Sequence, residues 1–264
     1  MSNRKKWFAI TGCIIILLLG TGVTMMLFPN PLFAHKERYK SFTVYAENPI
    51  HPNYKDILER SLRLASQSEL YDSGCKYDIL LNEGSWYKEY TQAVLGPAPA
   101  RNIDNNILLN SHVDFENAVL GTSHNKRDLV QTITHEMVHC LQLNKYGMLK
   151  QNPIHHPPIW KLEGYPEYIA YLGVIQQDSY NFELTVNQLR SFVSRGQEWI
   201  ELRPGYPDPL IYFKGRVLVE YLITQKGLSI EEIMKDSVKE DEVYDELLVW
   251  LATHSKPNVS GGNQ

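Results

Sequence analysis

The chain has 264 residues, 43% of them hydrophobic, which is enough to build a sizeable core. Its 26 basic and 30 acidic residues leave a formal charge of −4. There is no basic stripe with interleaved aromatics, so nucleic acid is excluded as an expected partner.

Arg4, Lys5 and Lys6 precede an apolar run, Trp7 to Phe28, that holds no charged residue. That run is long enough to cross a bilayer as a helix. The basic flank argues that this end stays in the cytoplasm and the rest of the chain lies outside. The expected organisation is a cytoplasmic N-terminus (1–6), a transmembrane anchor (7–28), one globular domain (35–254) and a flexible polar tail (255–264). A cleaved signal peptide is the alternative. Ala34 is a small residue of the kind cleavage needs, but Leu32 fits poorly and the run exceeds the usual length. Ile10-Thr11-Gly12-Cys13 looks like a lipoprotein box, yet most of the apolar stretch follows Cys13. A bilayer-buried thiol is the better reading.

Phe42 to Ala46 reads as a strand, Tyr54 to Ala65 as an amphipathic helix and Tyr77 to Leu81 as a second strand. Gly96-Pro97-Ala98-Pro99 is a loop, and Ile107 to Leu109 a short apolar strand. Leu129 to Leu143 is a helix. Asp128 sits where the helix dipole favours it, and Ser123 or Asn125 is the expected cap. A Pro-rich stretch, Asn152 to Pro158, follows. Helices are then expected near Glu163 to Leu172, Leu184 to Val193, Ile211 to Gln225, Ser229 to Lys235 and Val243 to Ala252. Strands and helices first, then helices alone, point to an α+β architecture. Cys75 and Cys140 are the cysteines outside the anchor. An outside location permits a disulfide between them, although Cys140 also reads as a buried small residue. Asn258-Val259-Ser260 fits a glycosylation acceptor only in a eukaryotic host.

His135-Glu136-Met137-Val138-His139 carries the chemistry. Histidines four apart share one helix face, so both imidazoles can reach a single Zn²⁺. The Glu between them points close to the metal's open position. Glu163, 24 positions after His139 and at the start of a predicted helix, is the favoured third ligand. His155 and His156 are the alternative source of a third ligand, on a loop. A metzincin would place Gly and His where Gln142 and Lys145 stand, so that branch fails.

His135-Glu136-x-x-His139 with Trp160-x-x-Glu163-Gly164-x-x-Glu167-Tyr168 resembles the gluzincin metallopeptidases, in particular the peptidase MA-like branch. The motifs are specific, and the likeness covers about residues 100 to 240. It departs at Pro166, inside the second motif, and in the longer spacer Lys145 to Pro158. Pro166 is tolerated if it lies in the first turn of its helix. The resemblance implies a zincin-like fold over 35–254, with a small N-terminal sheet lobe and a helical C-terminal lobe. It implies His135, His139 and Glu163 as zinc ligands, Glu136 as general base and Glu167 as the partner of His135. It implies an oxyanion donor from a later helix, for which Tyr212 stands ahead of Tyr165, Tyr168 and Tyr171. Ile107 to Leu109 is then the sheet edge that takes an extended peptide, with an interior strand as the alternative. The function so implied is a membrane-anchored, extracytoplasmic zinc peptidase acting on peptide or protein substrates. A catalytically silent binding domain and a zinc amide hydrolase of cell-wall substrates are the other readings. Intact Glu136 argues for an enzyme, because a structural zinc has no use for a base there.

Overall fold

The structure, a computed structural model, describes residues 3–147 and 156–254. The N-terminal run forms helix α1 (Asn3–Leu27), long and apolar enough over Ile10–Leu27 to cross a membrane. The last carbonyls of a helix have no partner within it. Here the domain supplies partners. Asn106 Nδ2 donates to Leu27 O at 3.0 Å and the Tyr87 hydroxyl to Met26 O at 2.8 Å. Tyr90 reaches further along α1, donating to Gly22 O at 2.9 Å. A 3₁₀ turn, Asn30–Leu32, leads into the domain.

The domain has an α+β fold. It opens with strands β1 (His35–Tyr39) and β2 (Phe42–Ala46), helix α2 (Tyr54–Ala65), strand β3 (Tyr77–Leu81), helix α3 (Trp86–Leu95) and strands β4 (Ala100–Ile103) and β5 (Asn106–Leu109). These strands form one sheet in the order β1-β2-β3-β5-β4. The three central strands are parallel, and β1 and β4 are antiparallel edges. Val44, Ile79 and Ile107 align across the sheet on the face that joins the main core. Tyr45, Leu80 and Leu108 point the other way and pack with Tyr87, Leu32 and Phe33. Both faces are covered, so the central strands read as continuous apolar runs rather than alternating ones.

That arrangement corrects one expectation. Ile107 to Leu109 is interior, held between β3 and β4. The edge on that side of the sheet is β4, immediately after the Gly96–Pro99 loop, where no strand was expected.

A three-stranded meander, β6 (Val113–Asp114), β7 (Val119–Leu120) and β8 (Arg127–Asp128), feeds the motif helix α4 (Leu129–Tyr146). Asp128 itself is the cap, accepting from Gln131 N at 3.0 Å. Ser123 lies instead in a turn with φ of 47°, and Asn125 N bonds back to Thr122 O. Helices α5 (Ile159–Leu162), α6 (Gly164–Ile175) and α7 (Phe182–Ser194) follow. A hairpin of β9 (Trp199–Arg203) and β10 (Tyr206–Pro209) precedes α8 (Leu210–Thr224), α9 (Ile230–Ile233) and α10 (Glu240–His254). Helix α6 packs on both α4 and α8. Lys126 N donates to Gly205 O at 2.9 Å, tying the meander to the hairpin.

Cys75 and Cys140 are free, buried thiols, so the permitted disulfide is absent. Each has a polar partner: Asn144 Nδ2 donates to Cys75 Sγ at 3.2 Å, and Cys140 Sγ donates to Asp104 O at 3.3 Å. His155, the 255–264 tail and its Asn258-Val259-Ser260 sequon lie outside the described residues.

Candidate metal centre

Helix α4 buries one side through Leu129, Val130, Ile133, Met137, Val138, Cys140 and Leu141. The opposite side brings His135, Glu136 and His139 to the floor of a cleft of about 620 Å³. Glu163 enters at the junction of α5 and α6, where its own N–H bonds Ile159 O and its carbonyl receives Glu167 N. Gly164 explains how that junction sits so close to α8. A Cβ at Gly164 would lie 2.5 Å from Gly215 C, and one at Gly215 would lie 2.7 Å from Trp160 O. The two backbones touch, and no larger residue fits at either position.

The three candidate ligands converge. Glu163 Oε2 is 3.2 Å from Nε2 of both His135 and His139, and the two Nε2 atoms are 2.9 Å apart. One ligand atom from each lies within 4.8 Å of the others. Donors about 2.0–2.1 Å from a tetrahedral Zn²⁺ stand roughly 3.3 Å from one another. The donor set and its spacing therefore fit Zn²⁺ closely. His156 is exposed, with Nδ1 2.7 Å from Pro157 O, and takes no part in the cluster.

The outer nitrogen of each imidazole faces a side-chain oxygen. His135 Nδ1 lies 3.1 Å from Glu167 Oε1, an ion-pair contact rather than a hydrogen bond. Burial alone would depress His135, but the Glu167 and Glu163 carboxylates outweigh it and raise its pKa well above the ordinary value. Burial would likewise raise Glu167, but charged His135 and Arg216 hold it low. Glu163 is held far below the carboxylate range by His139 and His135, against burial. Glu136 goes the other way. Burial raises its pKa, opposed by the two imidazoles.

His139 is held by a residue that sequence reasoning noted only as a metzincin mismatch. Pro166 is the third residue of α6 and has no N–H for Leu162 O. Gln142, fully buried, supplies the missing donor: its Nε2 is 3.2 Å from that carbonyl. This fixes the amide's orientation, so Gln142 Oε1 faces His139 Nδ1 at 2.9 Å as an acceptor. His139 then carries its proton on Nδ1 and turns the Nε2 lone pair to the centre. Replacing Gln142 with Met, of similar volume, is expected to weaken zinc binding about 10- to 100-fold. Competition with a chelator measures this, and an unchanged affinity would remove Gln142 from the account.

Tyr212 is the third residue of α8 and lines the cleft. Its ring stacks on His135 with centroids 6.1 Å apart. Burial and then the nearby carboxylates push its phenol well up, so it stays a proton donor. Tyr165 is committed elsewhere, sharing a 2.9 Å hydrogen bond with Ser68 and accepting from Glu69 N. Tyr168 is buried in the core. Tyr171 lines the cleft beneath the Arg216 guanidinium, 4.2 Å from its ring.

Edge strand β4 forms one rim of the cleft through Ala100, Arg101 and Asn102. The other rim comes from the β9–β10 hairpin and Arg127, which is 3.4 Å from Asp208. None of these rim residues was singled out from sequence. The sequence matches no protein-family model, and no curated protein matches it significantly.

Proposed function

We propose that this chain is a membrane-anchored zinc peptidase of gluzincin type with a zincin-like fold, its cleft facing the extracytoplasmic side. The observation that carries this is the convergence of His135, His139 and Glu163 beside a buried Glu136 on a cleft floor edged by an open strand. Helix α1, with Arg4, Lys5 and Lys6 at its start, supports the anchor and its direction.

His135, His139 and Glu163 would hold the metal. A bound Zn²⁺ supplies Lewis acidity, which brings a water's pKa towards neutrality and polarises a carbonyl. Glu136 accepts the proton of the attacking water on its carboxylate and returns it to the leaving amine. Burial suits Glu136 to this, since it moves the carboxylate's proton affinity closer to neutrality. Tyr212 donates its phenolic hydrogen to the oxyanion that develops on the substrate. The β4 backbone binds an extended peptide by adding it to the sheet. Glu167 and Gln142 keep the two imidazoles in the required orientation.

A second reading has its own observation. Trp199 is 57% exposed and lines the cleft, a stacking surface of the kind a sugar needs. This favours amide bonds in cell-wall material as a further substrate class.

The full-length protein purified in detergent is expected to bind about one zinc per chain through its three ligands. A peptide library and cell-wall fragments then report turnover. Failure to take up zinc would sink the reading. Zinc without turnover of either panel would leave a binding domain.

A further inference from the structure

Helix α3 carries an apolar stripe that the domain leaves largely uncovered: Trp86, Ala93 and Val94 are exposed, and Tyr90 is half-buried against the sheet's outer cluster. Trp86, Tyr90, Ala93 and Val94 fall at i, i+4, i+7 and i+8, on one side of the helix. Trp86 is 50% exposed and Val94 55%, while Tyr87 and Thr91 turn into the domain. The stripe lies on the side of α3 next to α1, because its own Tyr90 bonds Gly22 O.

That bond fixes a depth. Gly22 lies six residues before Phe28, the end of the apolar run, or about 9 Å along the helix axis. The Tyr90 hydroxyl that bonds α1 there sits among the upper acyl chains if α1 crosses the bilayer. Tryptophan and tyrosine are favoured just above that level, at the membrane–water interface, with their rings reaching down into it. The C-terminal end of α3 is prepared for it as well. Its orphan carbonyls at Leu95 and Gly96 receive the Arg101 guanidinium, so these polar groups are not left bare.

We propose that α3 is an interfacial helix, with Trp86, Tyr90, Ala93 and Val94 seated in the outer leaflet of a lipid bilayer. This rests on the reading of α1 as a membrane-spanning helix. Arg101 joins α3 to edge strand β4, and Pro97 to Pro99 at the cleft mouth begin one residue after Gly96. The cleft therefore opens at the lipid surface and meets peptide segments that lie there.

The test uses the full-length chain in phosphatidylcholine nanodiscs. Indole emission is quenched either by nitroxide lipids labelled near the head of the acyl chain or by aqueous iodide. Subtracting the Trp86→Phe and Trp7→Phe variants isolates each indole. Lipid nitroxide is expected to remove most of the Trp86 emission, and iodide little of it. Val94→Glu is expected to reverse that preference. Trp7 reports on α1 independently. Trp7 quenched by lipid label with Trp86 open to iodide overturns the interfacial helix and leaves the anchor standing. Neither indole quenched by lipid overturns both. Trp86 shielded from both quenchers overturns the lipid contact in favour of a protein partner.

Discussion

Glu136→Gln is expected to keep about one zinc per chain while lowering hydrolysis by about 10²- to 10⁴-fold, the usual worth of a positioned general base. The amide matches the carboxylate in shape but cannot accept the water's proton. In the proposed site His135, His139 and Glu163 would hold the metal, so metal content has no reason to change. Glu136 is only 7% exposed, and burial already disfavours its charge. Removing that charge is therefore expected to leave the melting temperature unchanged or raise it, as is common where catalytic groups are held in costly environments. Metal analysis, a thermal melt and turnover on the best library peptide read the three outcomes together. Undiminished turnover with bound zinc would refute the role of Glu136. Parallel loss of zinc and fold would show instead that this carboxylate is structural.

Gly215→Ala is expected to destabilise the domain by about 1–3 kcal/mol or more, the range for overpacking a tight contact. The added carbon would lie 2.7 Å from Trp160 O and 3.1 Å from Gly164 Cα. Both obstacles are backbone, so relief requires α5 and α6 to move away from α8. Glu163 lies between Trp160 and Gly164 and would move with them. Zinc affinity should consequently fall along with stability, although residue 215 touches no ligand atom. Gly173→Ala is the matched control on α6. Its added carbon meets only Leu64 Cδ2, at 3.6 Å, an ordinary contact. Helix propensity then favours the alanine by about 0.5–1 kcal/mol. Denaturant unfolding and chelator competition on both variants provide the measurement. A Gly215→Ala protein as stable and as tightly metallated as wild type would refute the close-approach argument.

Elements with a strong local pattern were legible from the sequence alone. Tyr77–Leu81 and Phe42–Ala46 are apolar runs, and Tyr54–Ala65 places Ile57, Leu58, Leu64 and Ala65 on a buried helix face. Strand β4 was not legible. Ala100-Arg101-Asn102-Ile103 neither alternates nor runs apolar, and it is extended because β5 pairs with it. The β9–β10 hairpin contains Pro207 and Pro209, which argue against a strand unless it lies at an edge. The interior position of Ile107–Leu109 was legible in principle, since three consecutive apolar residues need cover on both faces. Spacing also gives no distance, so Cys75 and Cys140 could not be assigned as paired or free. At the site, helical periodicity brought His135, Glu136 and His139 together. The role of Gln142 depended on the carbonyl that Pro166 leaves without a donor. That signal is present in the sequence, but the partner comes from another helix.

Pro166 has a further consequence. A proline ring holds φ near the helical value, Pro166 lies in the first turn of α6, and the hydrogen bond it forgoes to Leu162 O is replaced by the Gln142 amide. At such a position proline costs the folded chain little and mainly narrows the conformations open to the unfolded one, which is worth about 0.4–1 kcal/mol. The firmness of the turn that carries Glu163 thus originates partly in the denatured ensemble, where no ligand is yet in place.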